Sequence, residues 1–436
     1  MKKSKPDYSF NRRDFIKGSS FASMMMMMGG VEITAQSADE QKTLPVPKAD
    51  PNFKEKQAGP PVNFGVIGLG AQGKDILATL ARLPNAPVVA VAETYAASLR
   101  RAGDAAAKAS KHENYKELLD NKNVQAVVVA TPTHQHKQIV IEALQAGKHV
   151  YCEAPMAHSV EDAKAIAQAA KNASAQIFQV GLQYRANPQH HHVLNFVRSG
   201  AMGKGLFGRG QYHKRQSWRR ASPNADREKE LNWRLDSELS TGLIGEVGVH
   251  QVDVASWYFN SLPIAATGFG GIIEWSDGRD VPDTIQAVIE FPRKQRFVYT
   301  ATLGNSFEGS YDVFYGTESA LMLRDQRAWM FKEVDSPLLG WEVYARKEEF
   351  FKETGIALVA NATKLLAQGK KPAEGASDSD TPLFYALEEF VANINEKKQP
   401  SAGWEAGYTS AVIAIKTNEA IRKGGRLEFD KSWFQV

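Results

Sequence analysis

Between residues 62 and 83 the chain runs from an apolar stretch, Val62-Asn63-Phe64-Gly65-Val66-Ile67, through Gly68-Leu69-Gly70-Ala71-Gln72-Gly73, into Ile76, Leu77, Leu80 and Leu83. No other feature narrows the fold so far. The apolar, β-rich run predicts a strand, and the spacing after the loop predicts a helix with one buried face. The first glycine permits a tight turn, the second lets a pyrophosphate approach the backbone, and the third allows close packing of helix on strand. The helix N-terminus supplies free amides and a positive dipole end for phosphates. The loop residues Gly68, Gly70, Ala71, Gln72 and Gly73 are therefore candidate cofactor-binding residues.

A lone glycine pattern is weak, and the next element strengthens it. Pro87-Val88-Val89-Ala90-Val91-Ala92 reads as a second buried strand, and Glu93 follows it. A carboxylate there accepts hydrogen bonds from the adenosine ribose hydroxyls and repels a 2′-phosphate, which favours NAD over NADP. Val127-Val128-Val129-Ala130 and His149-Val150-Tyr151-Cys152 read as later strands, separated by a helix around Ile139–Leu144. Strand–helix alternation of this kind indicates an α/β fold with a doubly wound parallel sheet.

At 436 residues the chain has room for two domains with sizeable cores. No apolar run approaches the ~18–20 residues of a membrane-spanning helix. The net charge of +4 is dispersed, without a basic stripe interleaved with aromatics, so nucleic-acid binding has no support. The one cysteine, Cys152, excludes an intrachain disulfide and a multi-cysteine zinc site, and reads as a small buried hydrophobe. His190-His191-His192 does not suit a metal, because successive helical side chains point ~100° apart. No metal is expected.

Residues 1–35 read as an export signal. Asn11-Arg12-Arg13-Asp14-Phe15-Ile16-Lys17 precedes a weakly apolar stretch from Phe21 through the methionines at 24–28 to Val31. Twin arginines followed by a hydrophobic pair and lysine resemble the twin-arginine signal, which implies a periplasmic or otherwise exported protein. Residues 36–61, rich in Ser, Asp, Lys and Pro, read as a linker or an arm over the surface.

Several separated motifs resemble the Gfo/Idh/MocA family, which includes glucose–fructose oxidoreductase and inositol dehydrogenase. They are the glycine loop, Ala130-Thr131-Pro132-Thr133-His134-Gln135-His136 and Ala146-Gly147-Lys148-His149-Val150-Tyr151-Cys152-Glu153. Further on come Gly181-Leu182-Gln183-Tyr184-Arg185-Ala186-Asn187-Pro188 and Gly245-Glu246-Val247-Gly248-Val249-His250-Gln251-Val252-Asp253. The resemblance runs from about residue 62 to the C-terminus. It implies an NAD-binding Rossmann domain over 62–182. Over 183–436 it implies an α+β substrate domain with a large open, mostly antiparallel sheet and C-terminal helices. The carbohydrate site would lie between that sheet and the nicotinamide. Cofactor roles are implied for the loop, Glu93, Thr131, His136, Glu153 and Gln183, with Trp233 and Arg234 close to cofactor and substrate. A homo-oligomer, dimer or tetramer, built through the sheet face is also implied.

The chain departs from the family at its chemistry. Where family dehydrogenases usually read Glu-Lys-Pro, this chain has Glu153-Ala154-Pro155, and alanine can move no proton. Four residues before the motif histidine the family commonly has Asp; here it is Glu246. Glu246 and His250, at i and i+4, are expected to share one helix face. His250 would accept the hydroxyl proton, while Glu246 orients the imidazole or binds a neighbouring hydroxyl. Lys214 or His213, after a predicted strand, could stand in for the lost lysine. Tyr184 is a proton-relay candidate and Arg185 a hydroxyl-binding one. Asp253 reads as structural.

The leading expectation is a sugar or polyol oxidoreductase with tightly bound NAD. One alternative is an NAD-dependent glycoside hydrolase that oxidises, eliminates, hydrates and re-reduces. A third is a non-catalytic sugar- or cofactor-binding protein that lost its lysine.

Overall fold

The computed structural model describes residues 58–436, apart from 102–105, 223, 341, 343–344, 351 and 361–379. The export signal expected over 1–35 and most of the 36–61 arm lie outside the described residues.

The first sheet has six parallel strands: β1 (Phe64–Ile67), β2 (Val88–Ala92), β3 (Ser110–His112), β4 (Ala126–Val129), β5 (His149–Cys152) and β6 (Phe178–Val180). Their order is β3-β2-β1-β4-β5-β6. β1 and β4 are buried at every position, as strands covered on both faces must be. Helices α1 (Ala71–Leu80), α2 (Ala96–Arg100), α3 (Tyr115–Asp120), α4 (His136–Gln145) and α5 (Val160–Asn172) connect them. Strand order reverses between β1 and β4, and ligands of such sheets bind at the carboxyl ends of the strands at that reversal. The glycine loop leaves β1 there, beside Ala130 and Thr131 at the end of β4.

The second sheet has ten strands among the described residues. They are β7 (Gly205–His213), β8 (Ala265–Gly271), β9 (Thr284–Glu290), β10 (Arg296–Thr302), β11 (Ser310–Gly316), β12 (Ser319–Arg324), β13 (Arg327–Lys332), β14 (Lys347–Phe350), β15 (Glu353–Leu358) and β16 (Leu427–Glu428). The order is β14-β15-β13-β12-β11-β7-β10-β9-β8-β16, with β7 and β10 parallel and the other pairs antiparallel. Asp283, immediately before β9, accepts amides from Ile273, Glu274 and Trp275 and fixes the turn into that strand.

Helices α6 (Pro188–Arg198), α7 (Ala225–Leu231), α8 (Gly242–Glu246) and α9 (Val249–Phe259) belong to this second region in chain order. The aromatic residues at the end of α9 pack on the sheet: Tyr258 lies 4.8 Å from Phe314 and Phe259 5.0 Å from Phe291, ring to ring.

Two C-terminal helices, α10 (Pro382–Glu396) and α11 (Trp404–Lys423), pack back on the nucleotide domain, and α11 also covers β8 and α9 of the second region. Phe390 meets Phe64 of β1 and Tyr151 of β5 edge-on at 6.0 and 5.8 Å. Gln179 donates to the Ala386 carbonyl, and the Val180 amide to that of Ala402. Leu383, Leu387, Tyr408 and Val412 sit in the same apolar clusters as the β1–β6 strands. A division by chain order at 182/183 therefore differs from the division by packing. No described helix is long and apolar enough to cross a membrane.

Candidate active site

Gly68 takes φ +93°, and a Cβ there would fall 2.8 Å from the Ala130 carbonyl carbon, so only glycine fits the turn against β4. Gly73 touches Gly68 so closely that a Cβ would lie 2.0 Å from its carbonyl oxygen. Gly70 differs: nothing lies within 4 Å of the place its Cβ would take. As the N-cap of α1 it carries no side chain to cap the helix, so the first-turn amides stay available to an anion. Glu93 at the end of β2 accepts from the Leu69 amide through Oε2 and the Tyr95 amide through Oε1, both at 2.9 Å. The loop and the acid are thus fixed to each other. Thr131 Oγ1 is buried without a hydrogen-bond partner. An open approach at Gly70, uncapped amides, a fixed carboxylate and an orphaned hydroxyl fit a dinucleotide.

Next to the loop lies a cavity of about 390 Å³, lined from the nucleotide side by Gln72, Thr131, His136, Glu153, Ala154 and Gln183. The other side brings Tyr184, Tyr212, Arg234, Glu246, His250 and Gln251. Gln72 Nε2 donates to Glu153 Oε1 at 3.0 Å. Burial pushes the Glu153 carboxyl up to about 7, against the Gln72 hydrogen bond, the Ala154 amide and the Arg234 charge, which act to lower it. His136 is buried and lies 3.0 Å from the Thr131 carbonyl and 3.3 Å from that of Met156. Burial holds it at about 4, so it stays neutral and serves to fix the loop. Cys152 is fully buried beside it.

His250 lies in the first turn of α9, and its Nδ1 has no partner. Burial lowers its pKa to about 4, partly opposed by Asp253, so the imidazole is neutral at physiological pH. Tyr184 stacks on His190 at 4.3 Å and lies 5.6 Å from His250 at a 59° tilt. Burial raises its phenol above the usual 10, so it remains a proton donor. Gln251 Oε1 is a third orphaned atom on this lining. Buried polar groups rarely lack partners, so three on one cavity mark where ligand atoms or water belong.

The structure corrects several expectations. Glu246 and His250 do not share a helix face: α8 ends at Glu246, and Val247 (φ −129°, ψ −33°) breaks the helix before α9. Glu246 instead accepts from Thr241 Oγ1 at 2.8 Å and from Arg234 Nε at 3.3 Å. It positions the guanidinium and leaves the imidazole alone. Arg185 does not reach the cavity, because Asp253 binds its Nε and Nη2 at 2.7 and 2.9 Å, with Ser410 donating to the same carboxylate. Lys214 is exposed past the end of β7 and is not on the cavity wall. His213 faces away and sits near the Phe307 carbonyl and Thr300 Oγ1 at 3.1 and 3.3 Å.

Alternate residues of a strand face opposite sides, and the residue that does face the cavity is the preceding Tyr212. Sequence reasoning missed Tyr212, Gln251 and Ser310. The parity of β7, had its register been known, would have identified Tyr212. Trp233 is buried rather than lining the cavity, packs edge-on to His134 at 5.7 Å and lies under the Arg234 guanidinium at 4.4 Å. The three consecutive histidines serve separate contacts: His190 on Tyr184, His191 with the Arg185 carbonyl, His192 on Phe196.

Comparison with known proteins decides the family. Residues 62–182 match the oxidoreductase family with an NAD-binding Rossmann fold, and residues 190–321 match the GFO/IDH/MocA C-terminal domain, together more than half of the chain. The chain belongs to the Gfo/Idh/MocA family. Its cofactor is NAD, and it is an NAD-dependent oxidoreductase of that family.

Levoglucosan dehydrogenase of Pseudarthrobacter phenanthrenivorans is 27% identical over 297 residues, 61% of this chain and 74% of the relative. Inositol 2-dehydrogenase of Rubrobacter xylanophilus is 34% identical over 200 residues, 45% of this chain and 52% of that enzyme. In fold, the chain superposes on a levoglucosan dehydrogenase complexed with NADH and L-sorbose at a TM-score of 0.68. That match has 22% identity and covers 85% of this chain and 99% of the other. An aldose-aldose oxidoreductase from Caulobacter crescentus gives 0.65 at 19% identity, covering 85% and 100%.

Proposed function

We propose that this oxidoreductase holds NAD tightly and moves hydride to and from a hydroxyl-bearing carbon of a carbohydrate, restoring the cofactor within its own cycle. One observation carries the reading: cofactor-side groups and the His250–Tyr184 pair converge on a single cavity whose polar lining is left partly unpartnered. Relatives described as levoglucosan and inositol dehydrogenases support a sugar or polyol substrate.

NAD, when bound, supplies the hydride acceptor. The chain's own residues manage the hydroxyl proton and the orientation. His250, neutral and with a free Nδ1, accepts the proton from the carbinol oxygen as the C–H bond is broken. Tyr184, kept protonated by burial, donates a hydrogen bond to the same oxygen. Arg234 uses Nε on Glu246 and turns its remaining N–H groups toward substrate hydroxyls. Ala154 contributes no acid or base, so the proton has no lysine to return from.

That absence also favours a second reading, glycoside cleavage through transient oxidation. The oxidised carbon acidifies the neighbouring C–H, the aglycone leaves, water adds, and hydride returns. A relative described as 2,7-anhydro-N-acetylneuraminate hydratase, from Escherichia coli, is 26% identical over 277 residues, 60% of this chain and 67% of that enzyme. We also propose export through the twin-arginine route, which carries folded proteins, and self-association through the open sheet face. Phe207 stacks on Tyr315 there at 4.3 Å while staying 38% exposed.

The test is a screen of monosaccharides and aryl glycosides against desalted protein, following the absorbance of bound nucleotide in deuterated water. Stable oxidised sugar supports the oxidoreductase. Released aglycone with deuterium beside the reacting carbon supports the hydrolase. Protein that binds sugar or NAD but turns over neither class of compound is a binding protein, and both enzyme readings then fail.

A further inference from the structure

α7 belongs by chain order to the substrate region, yet one of its side chains returns to the nucleotide domain. Arg227 Nη2 lies 3.9 Å from Glu93 Oε1, and its guanidinium carbon lies 4.6 Å from the centre of the Tyr95 ring. Its side chain is only 17% exposed. Nη1 lies 3.1 Å from Glu230, while Nε is buried and has no partner.

The segment that carries Arg227 is built to hold it there. Asn224 caps α7 by accepting from the Arg227 amide at 3.0 Å. Arg219 donates to Glu228 at 2.7 Å, and Asn232 exchanges two hydrogen bonds of 2.8 Å with the Arg220 backbone. A long cationic side chain buried to this degree, with a donor unsatisfied, lacks a partner that the protein alone does not supply. Glu93 fixes the identity of what sits beside it, because that acid ends β2 where the adenosine ribose is read. A guanidinium plane there can stack on a purine and donate to ribose or phosphate oxygens.

We infer that Arg227 is part of the adenosine subsite, closing over it from the second domain, so that nucleotide release requires α7 to lift away from Glu93 and Tyr95. This rests on the NAD reading of the site, and it gives that reading a physical cause for retention. The adenosine half is held by groups from both parts of the chain, whereas the loop amides and Glu93 come from one.

The experiment measures release of NADH from the full chain by its fluorescence, with excess NAD added as a trap, in wild type, Arg227→Ala and Arg227→Lys. Equilibrium binding of AMP and of nicotinamide mononucleotide accompanies it. NADH should leave Arg227→Ala about tenfold faster, with AMP weakened similarly and Arg227→Lys in between. Nicotinamide mononucleotide, which has no adenosine, should bind both variants as it binds wild type. NADH release within about twofold of wild type overturns the inference, as does equal weakening of AMP and nicotinamide mononucleotide, which marks a general loss of structure. Wild-type protein that binds neither NADH nor AMP refutes the cofactor reading itself, and the clasp with it.

Discussion

At the scale of single residues, the site works through what burial does to side chains. His250 is held at about 4 because its ring is enclosed, so it rests neutral with a free nitrogen able to accept a hydrogen bond, while the same burial makes it a weaker base than a solvated imidazole. His250→Ala should lower turnover by about 10²–10⁴-fold while leaving NADH binding in place. Unchanged turnover on a sugar that reduces the bound cofactor would remove His250 from the mechanism. Lys214→Ala should cost nothing measurable, since that side chain is exposed beyond the strand end.

That His250 lines the cavity was legible in the sequence, because its surrounding motif is specific. Its partners were not. Whether Glu246 faces His250 depends on Val247 leaving helical geometry; Gly248 permits such a break without requiring it. Arg185 looked free to grip hydroxyls, and only the fold brings Asp253 and Ser410 to it.

At the scale of elements, the strand–loop–helix was readable from its spacing, since each glycine has a separate steric reason, although the helix ends at Leu80 and Leu83 lies buried in the turn beyond it. Two of the glycines should respond in opposite ways. Gly73→Ala forces a methyl against the Gly68 carbonyl and should lower the melting temperature by several degrees. Gly70→Ala meets nothing and sits at φ −64°, so the fold should melt as wild type does. It occupies the space a pyrophosphate needs, and NADH affinity should fall by about tenfold or more. Calorimetry and fluorescence titration on the two variants check this, and parallel effects would contradict it. The sheet of the second domain was legible as a class only. Some of its strands alternate in burial, as β9, β10 and β12 do, but β7 does not, and a one-residue error in its parity exchanges Tyr212 for His213.

At the scale of the whole molecule, the buried titratable groups set a pH optimum for stability. His136, His190, His192 and His250 are held at about 4, 3, 4 and 4, each chiefly by burial. Unfolding lets each take up a proton between those values and 6.5, so stability falls as pH drops through that window. Glu153 and Asp312 act in the opposite sense. Burial raises them to about 7 and about 8, and protons held by the folded chain are released on unfolding as pH rises toward those values. Histidines outnumber these acids below 6.5, and above it the acids act alone. The melting temperature of nucleotide-free protein should therefore peak near pH 6.5, and a curve that is flat between pH 4.5 and 8.5 would contradict the assignment.

Packing at this scale also predicts that residues 62–182 alone bind no NADH and expose apolar surface to a hydrophobic dye, because α10 and α11 are missing from their core. Binding by that fragment with full-chain affinity would show the helices to be dispensable. The same arrangement has a consequence for biosynthesis. Phe390, Tyr408 and Val412 are translated more than two hundred residues after most of the strands they back. The core behind the glycine loop therefore closes only after residue 412 has been translated, and a message truncated before codon 382 yields the loop with neither helix behind its sheet.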